Sequence, residues 1–264
     1  MKKVLLISAI ILLFSSCEIL EQILKQAATS TTPTDTEIVQ GLKKALEIGT
    51  NTAVTSLNQK DGFFGNTKVK IPLPPDVQSV LDVALNNKTV KQTGMDKLLQ
   101  EKIDKFLLSV NRSAESAVIE AKPIFVNAIT NLTISQGLDL LQGKDISGKV
   151  SGFDSISATH YLELKTRSSL FSLFQPKINV ALDKDLGVGF SANKAWEQLT
   201  SYYNNYIATI IGKPKITYTI SEFATNKALD GVFYMMGKEE KKIRKDPYQY
   251  AFEIIKKVFG YVKK

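Results

Sequence analysis

The residues that could carry chemistry are few in this 264-residue sequence, and they limit the reactions that it could support. There is one histidine, His160, and one cysteine, Cys17. Zinc sites draw most of their ligands from histidine and cysteine, so no such set is available and no metal or other cofactor is predicted. A site made only of carboxylates stays open, with Glu239 and Glu240 as an adjacent pair. The lysines around this pair favour a solvated, salt-bridged face instead: Lys238, Lys241 and Lys242.

Nucleophilic catalysis has equally little support in the sequence. His160 could act as the base for a serine, but no Gly-x-Ser-x-Gly turn is present. A lone histidine beside Tyr161 is more often a packed or surface residue. The glycine patterns of nucleotide-binding loops are also missing. No catalytic residue is therefore predicted.

Six polar residues form the most interesting group, because several lie on or beside faces with apolar helical spacing. They are Asn111, Arg112, Glu115, Lys122, Lys227 and Asp230. Buried charges must be paired, so a structural interpretation joins Arg112 to Asp230 or Glu115, and Lys227 to a carboxylate. A functional interpretation makes the group a polar pocket that binds a ligand head group. Both remain open from the sequence.

The N-terminus has the three parts of a secretory signal. Lys2 and Lys3 give the positive start, residues 4–14 form an apolar run, and Ser15 and Ser16 are small. Eleven helical residues cover only about half of a ~30 Å hydrocarbon core, so this run is too short for a permanent anchor.

Phe14-Ser15-Ser16-Cys17 resembles a bacterial lipobox, in which a signal peptidase cuts before a diacylated cysteine. The resemblance implies lipid, such as palmitate, on Cys17. An ordinary signal peptide with a chance cysteine is the alternative. Glu18 follows, where Asp often marks inner-membrane retention, so the expected location is the outer membrane, facing the periplasm.

The expected organisation is a signal peptide over residues 1–16, a lipid-anchored tether over 17–33 and a single helical domain over 34–264. Loss of Lys2 and Lys3 with the signal lowers the formal charge from +8 to +6. The small, polar composition before Pro33 is typical of flexible linkers. A chain of this length can bury a full core.

Periodic apolar positions predict an all-α, bundle-like domain. Thr34 and Glu37 have the spacing of a capping box. Helices are expected at 96–120, 155–166, 170–186 and 192–211, with one capped by Ser221 and a last one begun by Pro247. Thr133 with Gln136 is expected to cap a short helix, and Gly231 should permit close approach.

Residues 61–75 interrupt this pattern with two glycines and three prolines, which exclude a regular helix. Residues before proline avoid the helical region, so Ile71 and Leu73 should be extended. The segment either straps across the helices and buries these two side chains, or exposes Phe63 and Phe64 in a partner-binding loop.

The C-terminal residues 238–264 hold nine Lys or Arg against four Asp or Glu, so most of the positive excess lies there. This basic end could lie against anionic lipid or the cell wall. A solvated helix end is the alternative. An exported protein is not expected to bind nucleic acid.

Several strings together resemble a bacterial domain-of-unknown-function family of exported, helical envelope proteins and lipoproteins. They are DGFxGN (61–66), VKIPLPP (69–75), NRxAE (111–115), AKPIF (121–125), KALDG (227–231) and KKVFG (256–260). The resemblance covers about residues 41–260, departs from the pattern at 157–162 and is poor at 187–220. It implies an envelope location and a helical fold, and it brings no activity.

These observations predict a lipid-anchored envelope protein that is a non-enzymatic binding or structural lipoprotein. Its expected partners are the membrane, through the N-terminal lipid, and an envelope lipid, the cell wall or another protein. The alternative is an envelope hydrolase that uses carboxylates such as Glu115 or Asp230 in a helical pocket. A deep pocket around those carboxylates would favour the hydrolase, and a fully paired cluster would favour the binding role.

Overall fold

The computed structural model describes residues 32–146, 148 and 150–262, and its regular structure is helical. The helices are α1 (Asp35–Leu57), α2 (Pro75–Asn86), α3 (Lys88–Gln92), α4 (Met95–Ala117), α5 (Ala121–Asn131), α6 (Gly137–Leu141), α7 (Ser157–Leu182), α8 (Ala192–Tyr202), α9 (Ala208–Ile211), α10 (Ser221–Lys245) and α11 (Glu253–Val262). Short 3-10 turns occupy Val118–Glu120 and Pro247–Gln249, and a π-helical turn occupies Tyr203–Ile207. One apolar core runs from Ile38 to Phe259. The predicted all-α, single-domain fold is confirmed.

Helix α10 lies at the centre and packs against α1 on one side and α7 on another. It runs antiparallel to α1. Met236 meets Thr50 in the middle of α1, while Gly231 meets Phe63, which follows the C-terminal end of α1. The C-terminal end of α10 therefore lies beside the start of α1.

Helix α1 begins as predicted. The Thr34 hydroxyl accepts a hydrogen bond from the Glu37 amide, and the Glu37 carboxylate accepts one from the Thr34 amide, which completes the capping box. The signal peptide and almost all of the tether lie outside the described residues. None of the described helices combines the length and apolar composition needed to cross a membrane.

Residues 61–74, called the strap below, cross the helices in an extended and turning path that confirms the predicted strap. Phe63 and Ile71 are fully buried, and Leu73 is buried as well. The strap passes so close to α10 that a Cβ on Gly231 would lie 2.7 Å from the Phe63 ring. Phe64 is half-buried, with the Lys70 ammonium 4.1 Å from its ring centre.

Two of the predicted helix boundaries are wrong. The expected helices at 155–166 and 170–186 form one helix, α7, because Leu162 and Leu170 on either side of the expected break are both buried and the chain stays helical between them. Pro247 opens only a 3-10 turn, and α11 starts at Glu253. The helix expected at 192–211 has these bounds, with the π-helical turn between α8 and α9.

Two predicted caps are also wrong. Ser221 is the first residue of α10, which Ile220 precedes without a side-chain cap. The short helix α6 begins after Gln136 without a side-chain cap, so Thr133 has no capping role.

Candidate functional site

The strap is held on α4 by Asn111, which is completely buried. Its amide oxygen accepts a hydrogen bond from the Ile71 N–H at 2.8 Å, and its amide nitrogen donates to the Ile71 carbonyl at 2.9 Å. One side chain thus satisfies both backbone groups of a buried extended residue, as a neighbouring β-strand would. Asn111 has a structural role here.

Glu115 holds the other end of the strap, one turn further along α4. One carboxylate oxygen accepts hydrogen bonds from the Phe63 and Phe64 amides, at 3.1 and 3.0 Å. The other oxygen accepts from Arg112 at 2.5 Å, and Arg112 also contacts Asp61 at 2.7 Å. Burial lowers the pKa of Arg112, but hydrogen bonds to both carboxylates outweigh it, so the pKa is raised.

The predicted pairing of Arg112 is therefore settled in favour of Glu115, and the alternative pairing with Asp230 is wrong. Asp230 instead accepts hydrogen bonds from Arg167 of α7 and from Lys227, the latter at 3.0 Å. Burial raises the pKa of Asp230, but the two cations outweigh it, so the pKa is lowered. Lys122 is exposed on α5. The six residues thus do not form one pocket.

Glu239 and Glu240 are buried, so the predicted solvated face is wrong for this pair. The Glu240 carboxylate accepts hydrogen bonds from the Ala158 and Thr159 amides, in the first turn of α7, and from the Arg244 guanidinium. Free N–H groups at a helix N-terminus favour an anion, which explains why the glutamate is tolerated there. Nearby lysines misled the sequence interpretation, because Lys238 and Lys241 lie on the opposite, exposed side of α10.

His160 packs beside a carboxylate that the sequence analysis missed. Its Nδ1 atom lies 2.8 Å from Asp154, which is buried in the turn before α7. The Asp154 N–H donates a hydrogen bond to the Gly143 carbonyl, and the second oxygen of the Asp154 carboxylate accepts one from the Ile156 amide. The pair fixes the entry to α7 and is consistent with the predicted packed histidine.

The sequence carried only weak signals for the other ion-pair partners that its interpretation missed. Arg244 follows Glu240 by four residues, and Arg167 follows Glu163 by four, which is the spacing of helical ion pairs. Asp61 gave no signal, because its contact with Arg112 spans 51 residues. Within the described residues, no three or more His, Cys, Asp or Glu side chains converge as they would around a metal ion.

Two open grooves lie on the surface, away from these polar clusters. One, with a cavity volume of about 510 Å³, runs between α5 and α7 and includes Asn127, Tyr161 and Leu173. The other, of about 580 Å³, lies on the outer face of α11 and includes Tyr248 and Tyr261. Neither groove is lined by Glu115 or Asp230.

Three carboxylates, of which Glu115 and Glu240 are buried and Asp230 is partly exposed, join neighbouring elements of the fold. Glu115 fastens the strap to α4, Glu240 fastens α7 to α10, and Asp230 fastens α10 to α7 from the outside. Each accepts at least two hydrogen bonds from its neighbours. Cys17, the predicted lipidation site, lies outside the described residues.

Comparison with known proteins places the helical domain in a family. A family model described as a protein of unknown function, DUF4197, matches residues 32–260, which is nearly the whole described domain. No curated protein and no solved structure matches the chain. The chain therefore belongs to the DUF4197 family.

Proposed function

We propose that this protein is a lipid-anchored, non-enzymatic binding or structural protein of the bacterial cell envelope. In this proposal Cys17 carries the lipid and the outer membrane holds it, with the helical domain facing the periplasm. Residues 1–17 support the anchor, because a short apolar run and two small residues precede the cysteine.

One observation carries the non-enzymatic part of the proposal. Glu115 and Asp230, the carboxylates considered for hydrolysis, accept hydrogen bonds from amides or cations in neighbouring elements. A general acid or base must exchange a proton with substrate, and a carboxylate that holds the fold together is poorly suited to that task. The paired geometry therefore favours a binding or structural role.

The anchor is tested by expressing the full-length protein in bacteria supplied with labelled palmitate. We expect label on the wild-type chain and on Ser15→Ala, which keeps a small residue before the cysteine. Cys17→Ser should lose the label and leave the membrane fraction. Labelling of Cys17→Ser, or an unlabelled wild-type chain, would refute lipidation at this residue.

A further inference from the structure

One end of the bundle gathers the first residues of the domain and its C-terminal elements. The Lys257 ammonium lies 2.6 Å from Glu37 in the first turn of α1, and a Cβ on Gly41 would touch Val258. Because α10 is antiparallel to α1, its last turns reach the same end. We call this the tether end: the start of α1, the last two turns of α10 and residues 247–262, which include the 3-10 turn and helix α11.

Exposed aromatic side chains cluster at the tether end. Tyr248 is 61% exposed, Phe252 is 43% exposed and Tyr261 is 36% exposed. The Tyr248 hydroxyl lies over Gly260, where a built Cβ would be only 2.7 Å from it, so this side chain packs against α11. Amphipathic rings of this kind are enriched where proteins meet the headgroup region of a bilayer.

Lysines without an ion pair to any described residue lie on the helix that leads into this end. Lys241 and Lys245 are exposed near the end of α10, and neither has an ion pair with any described residue. Lys238 continues the same exposed stripe one turn earlier, at the i, i+3 and i+7 spacing of a helix face. By contrast, Lys256 and Lys257 are neutralised by Glu253 and Glu37. The lysines of this end that lack an ion pair with a described residue therefore lie on α10.

We infer that the tether end docks on the surface of a bilayer that contains anionic phospholipid. The clustered lysines complement the negative charge of such a surface, and the rings can enter its headgroup layer. This inference adds a binding partner to the proposed function, and it rests on the proposed lipid anchor for the orientation of the domain relative to the membrane. If Cys17 is lipidated, residues 17–33 cannot place Thr34 further than about 60 Å from the bilayer, since each residue spans at most ~3.5 Å.

The anchor also explains why a weak surface interaction would suffice. Tethering raises the effective concentration of the docking face near the lipid, so a modest intrinsic affinity is enough to hold the domain against the membrane. The same face without the tether should bind vesicles weakly and in a salt-dependent way. Each lysine near an anionic bilayer contributes about a fivefold increase in partitioning.

The test uses the chain from residue 17 to 264 with Cys17→Ser, so that no lipid is attached. Its binding is measured by co-sedimentation with phosphatidylcholine vesicles, with and without phosphatidylglycerol. We expect clear binding only with phosphatidylglycerol and loss of that binding at high salt. Lys241→Glu with Lys245→Glu should weaken it at least tenfold.

The matched control is Lys88→Glu with Lys91→Glu, which makes the same change in net charge on exposed lysines of α3. Helix α3 packs against α2 and α4. We expect this control to bind within about twofold of the parent chain. A second variant, Tyr248→Ser with Phe252→Ser, should lower binding at every salt concentration. Circular dichroism and unfolding midpoints confirm that each variant is folded.

Equal losses in the α3 control and the α10 variant would refute the inference, because binding would then follow net charge alone. Equal binding to vesicles with and without phosphatidylglycerol would also refute it. Absence of binding to either kind would refute it as well and would favour a protein partner for this face. These results are independent of palmitate labelling. If the protein carries palmitate label but does not bind anionic vesicles selectively, only the docking inference is refuted. If it binds them selectively but carries no label, the lipid anchor is refuted and the docking inference stands.

Discussion

At the residue scale, Asn111 shows how one buried polar side chain can fix a segment far away in sequence. Asn111→Leu keeps a similar volume but leaves the buried N–H and C=O of Ile71 without partners. Each unsatisfied buried group costs about 1–3 kcal/mol, so we expect the free energy of unfolding to fall by about 2–4 kcal/mol. Urea unfolding of the two proteins measures this difference.

Asn131→Leu is the control, because Asn131 is exposed at the end of α5 and bonds only within its own helix. We expect a change within about 0.5 kcal/mol for this variant. Equal stabilities of the Asn111→Leu and wild-type proteins would show that the strap does not depend on this side chain.

The sequence placed Asn111 on the apolar side of its helix, since it follows Leu107 by four residues, and the structure agrees. It could not reveal the partner, because Ile71 lies 40 residues away and a hydrogen bond leaves no periodic pattern. The prediction that Glu240 lies on a solvated face was wrong for the same reason. Its lysine neighbours suggested solvent exposure, while the N–H groups that donate to its carboxylate belong to a helix some 80 residues earlier.

At the element scale, the contact between the strap and α10 depends on the absence of a side chain at Gly231. Ala usually stabilises a helix interior by about 0.5–1 kcal/mol relative to Gly. Here the new Cβ would lie 2.7 Å from the Phe63 ring, which is itself fully buried. We expect Gly231→Ala to destabilise by about 1–3 kcal/mol, the usual cost of overpacking, as measured by urea unfolding.

Gly49→Ala provides the comparison within a helix, because its Cβ would meet Met236 at an ordinary 3.4 Å. We expect this variant to be neutral or slightly stabilised. Phe63→Leu should recover part of the loss when combined with Gly231→Ala, since it removes the clashing ring atoms. If the double variant is no better than the sum of the two single losses, the ring contact is not the cause.

Helix existence was more predictable than helix boundaries, and two wrong boundaries show why. The break expected between residues 166 and 170 does not occur, because Leu162 and Leu170 on either side of it both pack into the core. Proline often opens a helix, but after Pro247 the side chains of Tyr248 and Gln249 are exposed and the chain makes only a 3-10 turn. Burial by distant elements decides both cases, and local residue type does not report it.

At the scale of the whole molecule, the sequence predicted one all-α domain and a basic C-terminus, but it did not predict the tether end. That face exists because α10 returns antiparallel to α1 and α11 then packs on the start of α1, which brings Glu37 beside Lys257 across 220 residues of chain. Likewise, the six polar residues look like one group in sequence and occupy separate places in the fold. Long-range packing decides such neighbours, and local periodicity carries no information about it.

Two carboxylates in ion pairs, Glu37 and Asp230, make the stability of the whole molecule depend on pH. Lys257 and the Thr34 amide lower the pKa of Glu37, and Lys227 and Arg167 lower the pKa of Asp230 against its burial. A carboxyl with a lowered pKa in the folded state binds fewer protons there than in the unfolded state. Its stabilisation is therefore complete above the ordinary values of 4.5 and 3.8 and is lost as the pH falls below them.

Asp230→Asn tests this dependence, because it removes the negative charge that links α10 to α7. The Asp230 side chain is 41% exposed, so solvent screening limits the expected loss at pH 7 to about 1 kcal/mol. We expect the difference in the free energy of unfolding between wild type and variant to shrink as the pH is lowered through 4 towards 3, because protonation then neutralises Asp230 in the wild type as well. Urea unfolding across this range measures it, and a difference that stays constant from pH 7 to 3 would show that the charge of Asp230 does not stabilise the fold.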